Sequence, residues 1–172
     1  MPGAGKSTIA EGLKSKGCEI INMGNAVRAE AKNRNLEPDG ENLGKLMLEL
    51  REKNGAGAVA NLIEPQIQNS QSDVIVIDGI RSNAEIQVLK NSGNVKILSI
   101  HASIDTRFEY LTNRGRSDDP ENRETFEKRD DRELGVGIST SIALADETIS
   151  NNNLTKERLI ETAYNIIQEW KK

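Results

Sequence analysis

Apolar residues in this chain fall into short blocks and longer stripes that alternate along its length. Four blocks have the length of strands. Cys18 to Met23 (CEIINM) ends at Gly24, and Asp73 to Asp78 (DVIVID) places four apolar residues between acids and just before Gly79. Val95 to His101 (VKILSIH) follows, and Asp146 to Asn151 (DETISN) makes a weaker last block. Between the blocks, apolar positions recur at spacings of three and four, the signature of a helix face. Ile9, Ala10 and Leu13 form the first such face, with Gly17 placed to end the helix. Further helical stretches are predicted over about 25 to 34, 43 to 53 and 56 to 70. The turn-rich Glu37-Pro38-Asp39-Gly40 separates the first two, and Pro65 is expected to kink or end the third. From about Thr155 a last helix carries Leu159, Ile160, Ala163, Ile166, Ile167 and Trp170 in one stripe, which reads as core packing.

Strand blocks alternating with helical stretches predict an α/β fold, a parallel sheet with crossover helices on both faces. The 172 residues make one domain, 1–172, long enough to bury about 70% of the unfolded surface without disulfides or metals. Aromatic content is 3%, so the core must be built from Ile, Leu, Val and Ala. No repeat or linker interrupts the chain, and Gly115 to Asn122 (GRSDDPEN) reads as a polar loop inside the domain.

The chemistry starts at the first residues, Met1-Pro2-Gly3-Ala4-Gly5-Lys6-Ser7-Thr8. Gly5, Lys6 and Ser7 fill the last three fixed positions of the phosphate-binding loop G-x-x-x-x-G-K-[ST]. Glycines let the backbone turn tightly so that several N–H groups face phosphate oxygens, and the positive end of the following helix adds attraction. Gly3, Ala4, Gly5, Lys6, Ser7 and Thr8 are thus candidates for binding a nucleotide. Lys6 would reach the β- and γ-phosphates, and Ser7 would ligate Mg²⁺. The opening Gly of the pattern would sit one residue before Met1, and the buried strand that carries such a loop has no residues here. The expectation is an N-terminally short version of the working protein, lacking about 6 to 10 residues. A sheet built without that strand should show a slot or a loosened loop, because the strand is normally interior.

Ligands in open parallel sheets bind at the carboxyl ends of strands. Asp78-Gly79-Ile80-Arg81 closes the strongest strand, so Asp78 can hold Mg²⁺ or accept the proton of an attacking hydroxyl, or else cap the next helix. Arg81 can clamp an acceptor phosphate bidentately, or lie on the surface. Gly24-Asn25-Ala26-Val27-Arg28 follows the second block in the same way, and Arg28 is either an acceptor-phosphate ligand or the partner of nearby Glu30. Arg51 is a weaker candidate of the same kind. The densest basic cluster is Arg107, Arg114, Arg116, Lys128, Arg129 and Arg132, interleaved with Glu127, Asp130, Asp131 and Glu133. Phosphoryl transfer needs charge neutralisation around the transferred group, so Arg114, Arg116 or Arg129 is expected to meet phosphate, against the alternative of a solvated helix face. His101, the only histidine, reads as structural, and Cys18 has neither a CxxC partner nor metal-ligand spacing.

Composition narrows the classes. One cysteine allows no internal disulfide and fits a reducing cytoplasm. A net charge of −4 argues against bulk nucleic-acid binding. No apolar run is long enough for a membrane span, and no signal peptide opens the sequence.

Together these residues resemble the P-loop nucleoside monophosphate kinase superfamily, and most closely the archaeal dephospho-CoA-kinase-like, adenylate-kinase-like family of uncharacterised proteins. The resemblance rests on PGAGKS at 2 to 7, INMGNAVR at 21 to 28, ENLGKLMLELRE at 41 to 52, VIDGIRS at 76 to 82, RGRSDDP at 114 to 120 and FEKRDDREL at 126 to 134. It implies a five-stranded parallel sheet, ATP at the loop, and acceptor-binding helices over about 24–70 with Gly24, Arg28, Asp78 and Arg81 at the acceptor. It also implies a lid over about 114–134 bearing Arg114, Arg116 and Arg129, with adenine between the lid and Asn151-Asn152-Asn153. Asn25 stands where these proteins often have Asp. The implied activity is a small-molecule kinase that transfers the γ-phosphoryl group of MgATP to a nucleotide or nucleotide-like acceptor. Lys6, Asp78, Arg116 and Arg129 are its expected catalytic residues, and Ser7 and Asp78 its metal ligands. Two alternatives stand beside it: transfer to a ribose hydroxyl as in dephospho-CoA kinases, and a nucleotide-binding regulatory or assembly factor with slow hydrolysis.

Overall fold

A computed structural model describes residues 1–116 and 119–172. Helix α1 (Lys6–Ser15) precedes strand β1 (Glu19–Asn22), which runs directly into α2 (Met23–Asn33). Three helices follow, α3 (Gly40–Asn54), α4 (Ala58–Asn61) and α5 (Glu64–Asn69), before β2 (Ile75–Asp78) and α6 (Asn83–Lys90). The second half comprises β3 (Leu98–His101), α7 (Ile104–Arg114), α8 (Arg123–Val136), α9 (Ile138–Ala143), β4 (Glu147–Ser150) and α10 (Lys156–Trp170). All four strand blocks are strands, each trimmed to four residues.

Capping explains where the expected boundaries move. Asn22 accepts the Asn25 N–H at 2.9 Å, so Met23 opens α2 instead of closing β1. Asp39 Oδ1 accepts from the Glu41 and Asn42 amides at 2.9 and 2.7 Å, which starts α3 at Gly40, ahead of the predicted 43. The stretch expected over 56 to 70 divides into α4 and α5, and the break comes before Pro65. Pro65 lies in the first turn of α5, where a missing N–H leaves no bond unmade.

Strands β1 and β2 pair in parallel with Ile20 opposite Val76, Ile21 opposite Ile77 and Asn22 opposite Asp78. Side chains alternate across a strand, and here both faces are covered. Ile21, Ile75 and Ile77 pack into a core with Met23, Val27, Leu46 and Leu89 from α2, α3 and α6. Ile20, Val74 and Val76 turn to a second core under α1 and α10, with Leu13, Leu159 and Ala163. Ile100 of β3 and Ile149 of β4 enter that second core too, and β3 and β4 are likewise parallel, with these two residues opposite each other. Gly12 permits the close approach of α10, since a Cβ there would lie 2.5 Å from Ile160.

Among the described residues, β2 pairs only with β1 and β3 only with β4. The described residues therefore form two parallel pairs sharing a core, with no ladder between the pairs, where the resemblance implied a five-stranded sheet. Val76 of β2 and Leu98 of β3 are only partly buried.

Candidate functional site

The loop before α1 is rigid for reasons that its residues make plain. Gly3 and Gly5 have φ of 78° and 103°, the left-handed region where a side chain is strained. Space excludes a side chain as well: a Cβ on Gly3 would lie 2.6 Å from the Arg107 carbonyl, and one on Gly5 would lie 2.5 Å from Asn151 Nδ2. The first i→i−4 bond of α1 is donated by Ile9 to Gly5. The amides of Lys6, Ser7 and Thr8 precede it, and the helix start has no side-chain cap and no acid in its first turn. Three N–H groups and the positive helix end thus face outward, the arrangement that receives phosphate.

Three side chains tie the loop down. Arg107 donates to the Pro2 carbonyl at 3.2 Å and forks onto Asp130 at 2.8 and 2.5 Å. Asn151 donates to the Ala4 carbonyl at 3.0 Å, while its own amide N–H bonds to His101 O at 2.7 Å. Lys6 Nζ donates to the Met1 carbonyl at 2.7 Å. Lys6 is half-buried, and burial, the largest effect, holds its pKa down to about 8. Arg81, Arg129 and Arg107 push in the same direction, against the attraction of Asp78.

A cavity of about 460 Å³ opens over the loop. Gly3, Gly5, Lys6, Ser7, Thr8, Gly24, Arg28, Asp78, Arg81, Arg114, Arg116 and Arg129 all line it, so nearly every residue singled out from the sequence meets there. Within the phosphate loop Ala4 is the exception, fully buried. Among the described residues, seven lining side chains are cationic (Lys6, Arg28, Arg81, Arg114, Arg116, Arg129 and Lys156) against one carboxylate, Asp78.

Positions around the cavity exclude several of the partners left open by sequence. Asp78 does not cap the next helix; Ser82 does, in a capping box with Glu85. Arg81 is no surface residue: its guanidinium pairs with Glu133 of α8, and burial with neighbouring Arg129 holds its pKa down to about 10. Arg28 bonds to Asn25 Oδ1 at 3.2 Å, and Glu30 pairs with Arg34 instead. Asp119 gathers three arginines, accepting from Arg114 Nε at 2.9 Å and from the Arg116 amide at 2.9 Å, with Arg129 3.7 Å away. Ser117 and Asp118 of the polar loop lie outside the described residues.

Other members of the basic set stand elsewhere. Arg51 bonds to the buried Glu85 at 2.6 Å and is absent from the cavity lining. Arg107 is a buried strut, Lys128 pairs with Glu124 in solvent, and Arg132 donates to the Gly40 carbonyl of α3 at 3.2 Å. Arg129 and Arg132, three residues apart on α8, reach different places, the first lining the cavity and the second bonding to α3. Asn22, Asp119, Glu85, Glu133 and Lys156 were not singled out by the sequence. Asn22 carried a signal, as the polar residue closing a strand block, and Asp119 another, as an acid inside the basic run.

Magnesium fits the donor set at this site. Ser7 and Asp78 line the same cavity, and Mg²⁺ favours one or two protein oxygens with phosphate and water completing its shell. Among the described residues no group of three or more His, Cys, Asp or Glu side chains could hold a metal by itself.

The AAA domain family matches residues 1–127. A UPF0200 protein of Hyperthermus butylicus is 41% identical, over 88% of this chain and 81% of its own length. One from Pyrococcus horikoshii is 38% identical over 99% and 96%, and one from Methanocaldococcus jannaschii 40% over 98% and 86%. Among solved structures, TT1252 from Thermus thermophilus superimposes with a TM-score of 0.67 at 15% identity, covering 95% of this chain and 92% of that one. That likeness is one of fold.

Proposed function

Because the chain belongs to the AAA domain family and to the archaeal UPF0200 proteins, with a P-loop NTPase-type fold, we propose that it is an ATP-dependent small-molecule kinase. It transfers the γ-phosphoryl group of MgATP to a nucleotide or nucleotide-like acceptor in the cytoplasm. The observation that carries this reading is the cavity itself, which sets the phosphate loop, Asp78 and seven cations around one space. Two anionic ligands brought together, with charge developing between them, call for positive charge on several sides.

The residues divide the work. Backbone amides of the loop, with Lys6, hold the β- and γ-phosphates. Ser7 and Asp78 would hold Mg²⁺, which when bound neutralises charge on the transferred group. Arg28 and Arg81 bind the acceptor, with Gly24 leaving room beside Arg28. Arg114, Arg116 and Arg129 close over the phosphates and exclude water. An acceptor oxygen attacks the γ-phosphorus, the bond to the β,γ-bridging oxygen breaks, and ADP leaves.

The test is ADP formation by the full-length protein with and without a panel of nucleoside monophosphates and dephospho-CoA. Turnover stimulated by one acceptor supports the kinase and names the acceptor. Stimulation by dephospho-CoA would mean transfer to a hydroxyl, with Asp78 as base. Slow hydrolysis indifferent to every acceptor would replace the kinase with a nucleotide-dependent regulatory factor.

A further inference from the structure

At the carboxyl end of the first strand pair, the register sets Asn22 beside Asp78. A carboxamide has one accepting oxygen and one donating NH₂, and both are committed here. Asn22 Oδ1 accepts the Asn25 N–H at 2.9 Å as the cap of α2. Its Nδ2 therefore points the other way, where it donates to Asp78 Oδ2 at 2.7 Å. Turning the amide over would lose both bonds. The backbone around the pair is equally constrained: Gly79 has φ of 111°, and a Cβ on Gly24 would lie 3.1 Å from Asn22 Oδ1.

The bond has an electrostatic consequence. Asp78 and Lys6 attract one another across the cavity, and a freely rotating carboxylate beside a buried ammonium tends to close onto it. Lys6 instead donates to Met1 O, and Asp78 is held by the amide. One carboxylate oxygen is occupied and its plane is set, so the other is left to serve a ligand of the cavity that both residues line.

We propose that Asn22 is a positioning residue that aims the Asp78 carboxylate at the magnesium and phosphate groups of the bound nucleotide, a role that rests on the kinase reading above. Removing a group that orients a metal ligand commonly weakens metal binding or activity by about ten- to a hundredfold. The helix-capping task and the aiming task can be separated by substitution. Asn22→Ser keeps an oxygen able to cap α2 but has no amide to donate to Asp78. Asn22→Asp keeps the cap and sets a second carboxylate against the first.

The experiment measures ADP affinity by calorimetry with and without Mg²⁺, Mn²⁺ binding to the nucleotide-free protein, and the melting temperature. Wild type should bind ADP more tightly with Mg²⁺. Asn22→Ser should keep the melting temperature and the metal-free ADP affinity while losing about tenfold of the magnesium-dependent gain. Asn22→Asp should bind Mn²⁺ more tightly than wild type without nucleotide, because two adjacent carboxylates need a hard cation between them. If Asn22→Ser melts early, the Mn²⁺ result on Asn22→Asp decides. A variant pair indistinguishable from wild type in both metal measurements overturns the positioning role and leaves the kinase reading standing. A wild-type protein whose ADP affinity ignores Mg²⁺ overturns the kinase reading itself.

Discussion

At the scale of the residue, Lys6 concentrates the chemistry. It is the one lysine beside the loop amides, and neighbouring Arg81, Arg129 and Arg107 add to the burial that holds its pKa near 8. Lys6→Ala should cut acceptor-stimulated turnover by about three orders of magnitude, in line with the loss of a group that stabilises transition-state charge. Near wild-type turnover would remove it from the site. The depressed pKa also sets a pH dependence whose sign can be derived. Phosphate favours the charged ammonium and so raises the pKa in the complex. Below about pH 8 the free protein already carries the charge, and binding needs no proton. Above that value the free lysine is neutral and binding must take one up, so affinity falls as pH rises. ADP affinity should drop about tenfold from pH 7 to pH 9 by calorimetry, one unit above the pKa being one factor of ten. A flat profile, or one rising with pH, would contradict this account of Lys6.

Helices and loops show how the site is held at the scale of the element. Arg107 of α7 joins the loop carbonyl of Pro2 to Asp130 of α8, and its guanidinium stacks 5.0 Å from the Phe126 ring centroid. Removing one partner of a buried pair leaves a charge without compensation, so Asp130→Ala should destabilise the fold by about 3 kcal/mol. Lys128→Ala, two residues away but paired with Glu124 in solvent, should change stability by less than about 0.5 kcal/mol. Denaturant unfolding compares them, and equal effects would deny Arg107 its structural role. Spacing alone grouped these residues as one basic cluster, because the pattern shows which side chains share a helix but not what each reaches. Arg107 spans 105 positions to Pro2, and Arg132 spans 92 to Gly40. Element boundaries shifted for a local reason, since the capping bonds of Asn22 and Asp39 act more sharply than apolar periodicity.

For the molecule as a whole, charge is distributed unevenly. A chain of net charge −4 surrounds a cavity lined, among the described residues, by seven cations and one acid. Nucleotide binding should therefore weaken as salt rises from about 0.05 to 0.5 M, a range over which the screening length falls from more than about 10 Å to under 5 Å. A ligand at about a hundred times its Kd stabilises the native state by about 2.7 kcal/mol. MgADP should accordingly raise Tm by about 5 to 10 °C for a domain of this size. Thermal scans with and without MgADP at low and high salt measure both effects, and a Tm indifferent to MgADP would mean that the cavity does not take it.

By itself the sequence determined the α/β class, the four strand positions, the phosphate loop and the placing of Asp78 at a strand end. Each follows from short-range physics: the period of apolar residues, glycine's backbone freedom, and the rule that parallel sheets present their carboxyl ends to ligands. Only the tertiary structure decided that the strands form two separate pairs, that Arg81 turns to Glu133, that Arg51 turns to Glu85, and that Asn22 holds Asp78. These are choices among partners far apart in the chain, 56 residues for Asn22 and Asp78 and 34 for Arg51 and Glu85. A charged or amide side chain has many competent partners in a sequence that is 29% charged. Which one it meets depends on how the helices pack over the strands, and no local pattern records that.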